Sequence, residues 1–238
     1  MSNFLNNLVE LNERGFSISS QVFNTSELEN ISELINSFLE KNNFQKYAIR
    51  SLFKNIPKLF EYISSIPGFN HFKDSVLSKD YFLTKSIYFN KPNMSNWFVP
   101  YHQDLSISVK NKIENKYYLN WTKKDNIYGV QPPNEILKNT ITMRIHLDDT
   151  DKNNGALKII ERSHNNGIIR VDESFDSLKY GEEKICNVSE GSIMLMKPLV
   201  LHSSEKSISN TNRRVIHIEF CNINIPNKID WYEKINLN

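Results

Sequence analysis

The sequence predicts an α+β protein whose core is a β-sandwich or jelly roll. Two observations lead there. Apolar residues recur at helical spacing through the first third, and from Tyr81 onward the period shortens to the two-residue alternation of strands. Turn residues then cut the chain into short pieces at Asp148–Gly155, Asn165–Gly167 and Glu190–Gly191.

In TSELENISELINSFLEK, Ser26 and Glu29 have capping-box spacing, and Leu28, Ile31, Leu34, Ile35, Phe38 and Leu39 fall on one helical face. Two more helical pieces follow, Pro57–Ser65 and Pro67–Leu77, each with a proline where a first turn tolerates one. YFLTKSIYFN reads as the first strand, and 101–109, 140–147, 155–160, 192–196 and 213–220 read as others. The expected layout is one domain over 1–238, with a helical part to about 78 and a jelly-roll core over about 79–225. Between Lys110 and Pro133 lies a long stretch rich in Tyr, Trp and Lys. It reads either as a lid over a site or as a surface loop, and the sequence leaves both standing.

Composition narrows the function. With 29 basic against 27 acidic residues the formal charge is +2, and no stretch gathers that excess into a stripe able to track phosphates. A nucleic-acid role is therefore not expected. Cys186 and Cys221 lack C-x-x-C spacing, which suits a reduced cytoplasmic chain better than a disulfide scaffold. The N-terminus has no basic segment followed by an apolar run, and no stretch approaches the roughly 18 apolar residues that span a bilayer. A monomer and a homodimer fit the composition equally.

The stretch YHQDLSISV at 101–109 carries the chemistry. On a strand, His102 and Asp104 would point into one space with Gln103 facing away, setting an imidazole nitrogen beside a carboxylate oxygen. His-x-Asp arises often by chance, so an ordinary strand bearing two polar residues explains it as well. A third ligand must come from elsewhere. His71 sits in the helical region as a surface residue, His146 and His217 are mid-strand and suit hydrogen-bonded lining roles, and His164 ends a loop. His202 opens a segment after GSIMLMKPLVL. A 2-His-1-carboxylate triad needs one such remote histidine and leaves positions open on Fe(II), whereas structural zinc would need four protein ligands. Arg213 and Arg214 then head an apolar strand whose alternation turns one of them inward. The residues alone do not say which.

Four segments in this order, GFSISSQVFNTSELENISELI, WFVPYHQD, TITMRIHLDDTDKNNGALKIIERSH and EGSIMLMKPLVLHSS, resemble the phytanoyl-CoA dioxygenase family of Fe(II)/2-oxoglutarate-dependent oxygenases. The resemblance implies a double-stranded β-helix core, jelly-roll or cupin-like, with N-terminal helices packed on one sheet. It implies Fe(II) held by His102, Asp104 and His202, with 2-oxoglutarate and O2 as cosubstrates. The family's arginine for the distal carboxylate lies about eleven residues after the second histidine, which selects Arg213. Ser204 matches a position that assists that carboxylate, and Trp121 resembles a cofactor-pocket tryptophan. Lys85 and Arg144 lie on strands that border such a pocket or carry solvated charges. Where the family commonly has Pro-Gly-Ser-His, this chain has Glu161-Arg162-Ser163-His164.

The implied activity is oxidation, by default hydroxylation, of a C–H bond in a small-molecule substrate, with release of succinate and CO2. Asp104 speaks against halogenation, because related halogenases carry Ala or Gly there. Two other classes are a non-catalytic metal- or ligand-binding jelly roll and a cupin-like hydrolase or isomerase. An intact triad argues against the first, and an arginine at the right offset against the second.

Overall fold

In chain order the elements are α1 (Asn3–Arg14), β1 (Phe16–Gln21), α2 (Thr25–Lys41), β2 (Ala48–Arg50), α3 (Leu52–Asn55), α4 (Pro57–Ser65) and α5 (Pro67–Val76). Then come β3 (Phe82–Lys91), β4 (Val99–His102), β5 (Ile107–Val109), β6 (Leu119–Lys124), β7 (Ile127–Gln131), α6 (Asn134–Lys138) and β8 (Thr140–His146). The last strands are β9 (Leu157–Ile160), β10 (Glu183–Ile185), β11 (Ser192–Met196), β12 (His202–Ser204), β13 (Arg213–Cys221) and β14 (Ile235–Asn236). The computed structural model describes residues 3–42, 47–94, 97–124, 126–226 and 229–237.

The strands form three sheets. The largest has the order β1-β11-β8-β13-β3-β14, with β2 also paired to β3; a second runs β10-β9-β12-β4, and a third β5-β7-β6. One face of the large sheet is apolar. Ile141, Met143, Ile145, Ile193, Leu195, Ile216, Ile218 and Phe220 join Leu28, Ile31, Ile35, Leu59, Ile63 and Phe72 from the helices in one buried cluster. Burying side chains of this size stabilises by roughly 1.5–3 kcal/mol each. The arrangement is the α+β double-stranded β-helix with N-terminal helices on one sheet. The other face of the large sheet looks across a cavity toward β4 and β12. Among the described residues no helix is long and apolar enough to cross a membrane.

Several expectations need correction. The capping box of α2 is Asn24 with Glu27, two residues earlier than Ser26 with Glu29: Asn24 Oδ1 accepts from Glu27 N at 3.0 Å, and Glu27 Oε2 accepts from Asn24 N at 2.8 Å. Asn24 is the residue with extended backbone there, so it alone can turn its side chain onto the first turn. The helical part is interrupted by β1 and β2. Residues 101–109 form two strands rather than one, broken after His102. The stretch between Lys110 and Pro133 is not a loose loop: 119–124 and 127–131 form the β6–β7 hairpin, paired through β7 to β5, and it borders the cavity.

Gly15 joins α1 to β1 at φ +89°, and a Cβ there would lie 2.6 Å from His164 Nδ1. Only glycine meets both conditions. Arg162 stands where the family carries glycine, and its backbone is left-handed at φ +63°. A non-glycine residue held there costs about 1–2 kcal/mol, part of which glycine returns through its freer unfolded chain. Arg162→Gly is expected to stabilise the protein by up to about 1 kcal/mol, read as a rise in the denaturation midpoint.

Candidate metal centre and its cavity

His102 ends β4 and His202 opens β12, and the two are direct cross-strand partners. Their rings face each other with centroids 4.2 Å apart. His102 Nδ1 lies 2.9 Å from the Pro100 carbonyl, and His202 Nδ1 lies 3.0 Å from the Val200 carbonyl. A carbonyl only accepts, so each Nδ1 carries the proton and each Nε2 keeps its lone pair for a metal. Asp104 completes the group: its Oδ1 is 3.9 Å from His102 Nε2 and its Oδ2 is 3.8 Å from His202 Nε2. One ligand atom from each residue lies within 4.8 Å of the others.

Asp104 is positioned by its neighbours in the chain. Its amide donates to the Pro198 carbonyl at 2.9 Å. Gln103 turns away as alternation predicts, but into the protein rather than to solvent. Its Nε2 donates to the Gly167 and Leu199 carbonyls at 2.8 and 2.6 Å, and its Oε1 accepts from Ile169 N at 2.8 Å. This anchor was not legible in the sequence, because its partners lie on loops remote in the chain.

The electrostatics favour a divalent cation. Burial works to raise the Asp104 carboxyl, but His202, His217, His102 and Lys85 together hold it well below the usual carboxylate range. Burial pushes the His202 imidazole down to about 4, so it is neutral near pH 7 and able to ligate. Two neutral imidazoles and one carboxylate suit Fe(II) with open positions, and the donor set fits that metal.

The triad opens into a cavity of about 760 Å³ lined by residues of all three sheets. At one end β13 and β3 set Arg213 opposite Lys91 in register. Both side chains are buried. Arg213 Nη1 donates to the Gly155 carbonyl at 2.6 Å, while its Nε is buried without a partner. Lys91 Nζ donates to Ser204 Oγ at 2.8 Å and to the Glu205 carbonyl, and Ser204 Oγ donates to the Gly155 carbonyl at 3.0 Å. Among the described residues neither cation has an ion-paired carboxylate, so an incoming carboxylate would compensate both. Arg214 points the other way. Its Nη2 and Nε meet Asp148 Oδ1 and Oδ2 at 2.6 and 2.9 Å, on the helix side of β13.

Lys91 was missed by sequence reasoning, although a signal existed: it is six residues from Lys85 on the same strand, hence on the same face. Burial, with the Arg213 charge beside it, pushes its amine down to about 8. A dianionic ligand binds the ammonium form. 2-Oxoglutarate affinity is therefore expected to be flat below about pH 8 and to weaken as pH rises through it. Lys91→Met should weaken binding below pH 8 and remove that step, checked by cosubstrate titrations from pH 6.5 to 9.

Midway along the large sheet, Arg144 Nη1 lies 3.1 Å from His217 Nδ1. A guanidinium only donates, so His217 carries its proton on Nε2, 3.2 Å from Glu219 Oε1. Lys85 Nζ meets the same oxygen at 2.7 Å. His146, expected as a lining residue, is held by Thr150 Oγ1 at 2.9 Å, and His71 packs on Phe4. Trp121, expected in the cofactor pocket, does not line the cavity. Alternation along β6 gives Asn120, Thr122 and Lys124 to the cavity and turns Trp121 onto the apolar cluster with Val130 and Trp231, where its indole donates to the Tyr118 carbonyl at 3.0 Å.

A double-stranded β-helix that aims two imidazole nitrogens and a carboxylate into one cavity defines a 2-His-1-carboxylate metalloenzyme. The chain matches the family described as phytanoyl-CoA dioxygenase (PhyH) over residues 11–215, and it belongs to that family of Fe(II)/2-oxoglutarate oxygenases. Fe(II) and 2-oxoglutarate are its cofactors.

The fold is shared with solved structures at low identity. HygX from Streptomyces hygroscopicus, with nickel and 2-oxoglutarate bound, aligns at 12% identity and TM-score 0.66, covering 96% of this chain and 89% of that one. EctD from S. alaskensis with bound Fe aligns at 12% identity and TM-score 0.67, covering 91% and 75%. The carbocyclase SnoK from nogalamycin biosynthesis aligns at 13% identity and TM-score 0.65, covering 91% and 83%. No curated protein matches the chain in sequence.

Proposed function

We propose that the protein hydroxylates a C–H bond of a small-molecule metabolite, with succinate and CO2 as coproducts. In this reading His102, Asp104 and His202 hold Fe(II), while Arg213, Ser204 and Lys91 take the distal carboxylate of 2-oxoglutarate. The observation that carries it is the meeting, in one cavity, of three ligand atoms within 4.8 Å of each other and a buried arginine nitrogen without a partner. The iron supplies oxygen activation coupled to decarboxylation of the cosubstrate.

The chain's own residues do the rest. The Pro100 and Val200 carbonyls hold the Nδ1 protons, which turns both Nε2 atoms to the metal. Asp104 is already ionised and contributes the one anionic ligand. Arg213 and Lys91 orient the cosubstrate by charge-assisted hydrogen bonds, which burial strengthens. The shared core of helices and large sheet supports action as one unit over 1–238, and two buried free thiols support a reducing, cytoplasmic setting.

The test is anaerobic addition of Fe(II) and 2-oxoglutarate to the purified protein. A weak visible band from the iron–oxoacid chelate is expected, followed by succinate release on admitting air. No band and no tight iron would remove the oxygenase reading.

A further inference from the structure

We infer that the open side of the cavity recognises a small hydrophilic anion, a hydroxylated carboxylate or phosphate ester, through the polar face of the β5-β7-β6 sheet. The inference deepens the oxygenase reading above and rests on it. That sheet is two-faced. Val109, Tyr118 and Val130 turn to an apolar cluster with Phe82 and Trp231. The opposite face presents Ser106, Ser108, Asn120, Thr122, Lys124 and Gln131, and all six line the cavity that holds the triad. A small surface sheet ordinarily gives such a face to bulk water; here it looks onto the metal site.

Gly129 shows that space on this face matters. Its φ is not in the left-handed region, so backbone freedom does not explain a glycine in the middle of β7. An added Cβ would lie 2.6 Å from Thr122 Oγ1 and 2.9 Å from Ser106 Oγ. Glycine inside a strand marks close approach by another group, and here the two hydroxyls close over its backbone and leave no room for a side chain. Ser106 is two residues beyond Asp104, so this pair of hydroxyls adjoins the metal ligands in the chain. Each hydroxyl can donate or accept, which suits hydroxyl groups on a ligand. Across the cavity, Ile87, Phe89 and Trp97 offer apolar surface for a carbon skeleton.

The charge is set by the lining. Lys85, Lys91, Lys124, Arg144 and Arg213 face the cavity, while Asp104 is the one carboxylate among the described lining residues. Glu219 offsets Lys85. The two charges of Fe(II) and the two of 2-oxoglutarate cancel, so the loaded site keeps a cationic excess. A cleft of one sign concentrates ligands of the other.

The holoprotein loaded with Fe(II) and 2-oxoglutarate is titrated with five probes: glucose 6-phosphate, gluconate, glucose, glucosamine and octanoate. Perturbation of the chelate band and stimulation of succinate release are read. The hydroxylated anions should half-saturate at concentrations at least tenfold below glucose, glucosamine and octanoate. The two anions compared with each other distinguish a phosphate from a carboxylate ligand. Lys124→Glu should raise the anions' half-saturating concentration tenfold or more. Gly129→Val should do the same, with Thr122→Val as a milder second variant if the valine at 129 unfolds the hairpin. Glucose, glucosamine or octanoate matching the anions, or all five leaving the band unmoved, overturns the inference. In that case an intact chelate band leaves the oxygenase reading in place, whereas a missing band removes that reading first.

Discussion

Asp104→Ala is expected to weaken Fe(II) binding by on the order of a hundredfold or more, since changes one shell further from a metal already cost 10–100-fold. The side chain is the one anionic member of the triad, and no other carboxylate among the described residues lines the cavity. The fold should survive, because the 104 amide keeps its bond to the Pro198 carbonyl whatever the side chain. Anaerobic Fe(II) titration of the chelate band measures the loss, and circular dichroism checks the fold. An iron affinity equal to wild type would take Asp104 out of the metal site.

Arg213→Ala is expected to raise the 2-oxoglutarate requirement by about 10²-fold to several thousandfold, because a buried charge left without its partner costs about 3–5 kcal/mol. Iron affinity should hold, since the arginine touches no member of the triad. Arg214→Ala is the control. Its guanidinium grips Asp148 with three hydrogen bonds, the pair about a quarter exposed to solvent, so its loss should cost about 1–2 kcal/mol of stability and leave the cosubstrate requirement unchanged. Cosubstrate titrations beside thermal denaturation separate the two. Equal effects of the two variants on cosubstrate binding would end the assignment of Arg213.

The parts of this protein that are periodic were legible in its sequence. Alternation along 213–221 divides the large sheet's last long strand into a helix-facing row, Ile216, Ile218 and Phe220, and an opposite row from which Arg213 and His217 line the cavity. The order of motifs brought His102, Asp104 and His202 together before any coordinates. What escaped was set by contacts between distant segments. Gln103 holds Asp104 through loops about 65 and 96 residues away, which no local pattern encodes. The β6–β7 hairpin was hidden because its polar row faces a cavity and Lys123 interrupts the apolar row that Trp121 and Tyr128 begin, so it imitated a loop. Trp121 was misplaced for the same reason: without the strand, its direction was undefined.

The register of β4 has a last consequence. β4 is the outermost strand of its sheet, meets β12 through two residue pairs with an irregularity between them, and among the described residues has no strand paired on its far side. One histidine of the triad sits on this border strand and another on the inner one, so the ion also serves as a cross-link between them. Bound iron is thus expected to hold residues 99–102 against fraying, an opening local to this border strand that leaves the helices and large sheet closed. One margin of the small sheet can then come undone like a hem while the stability of the whole chain is set elsewhere.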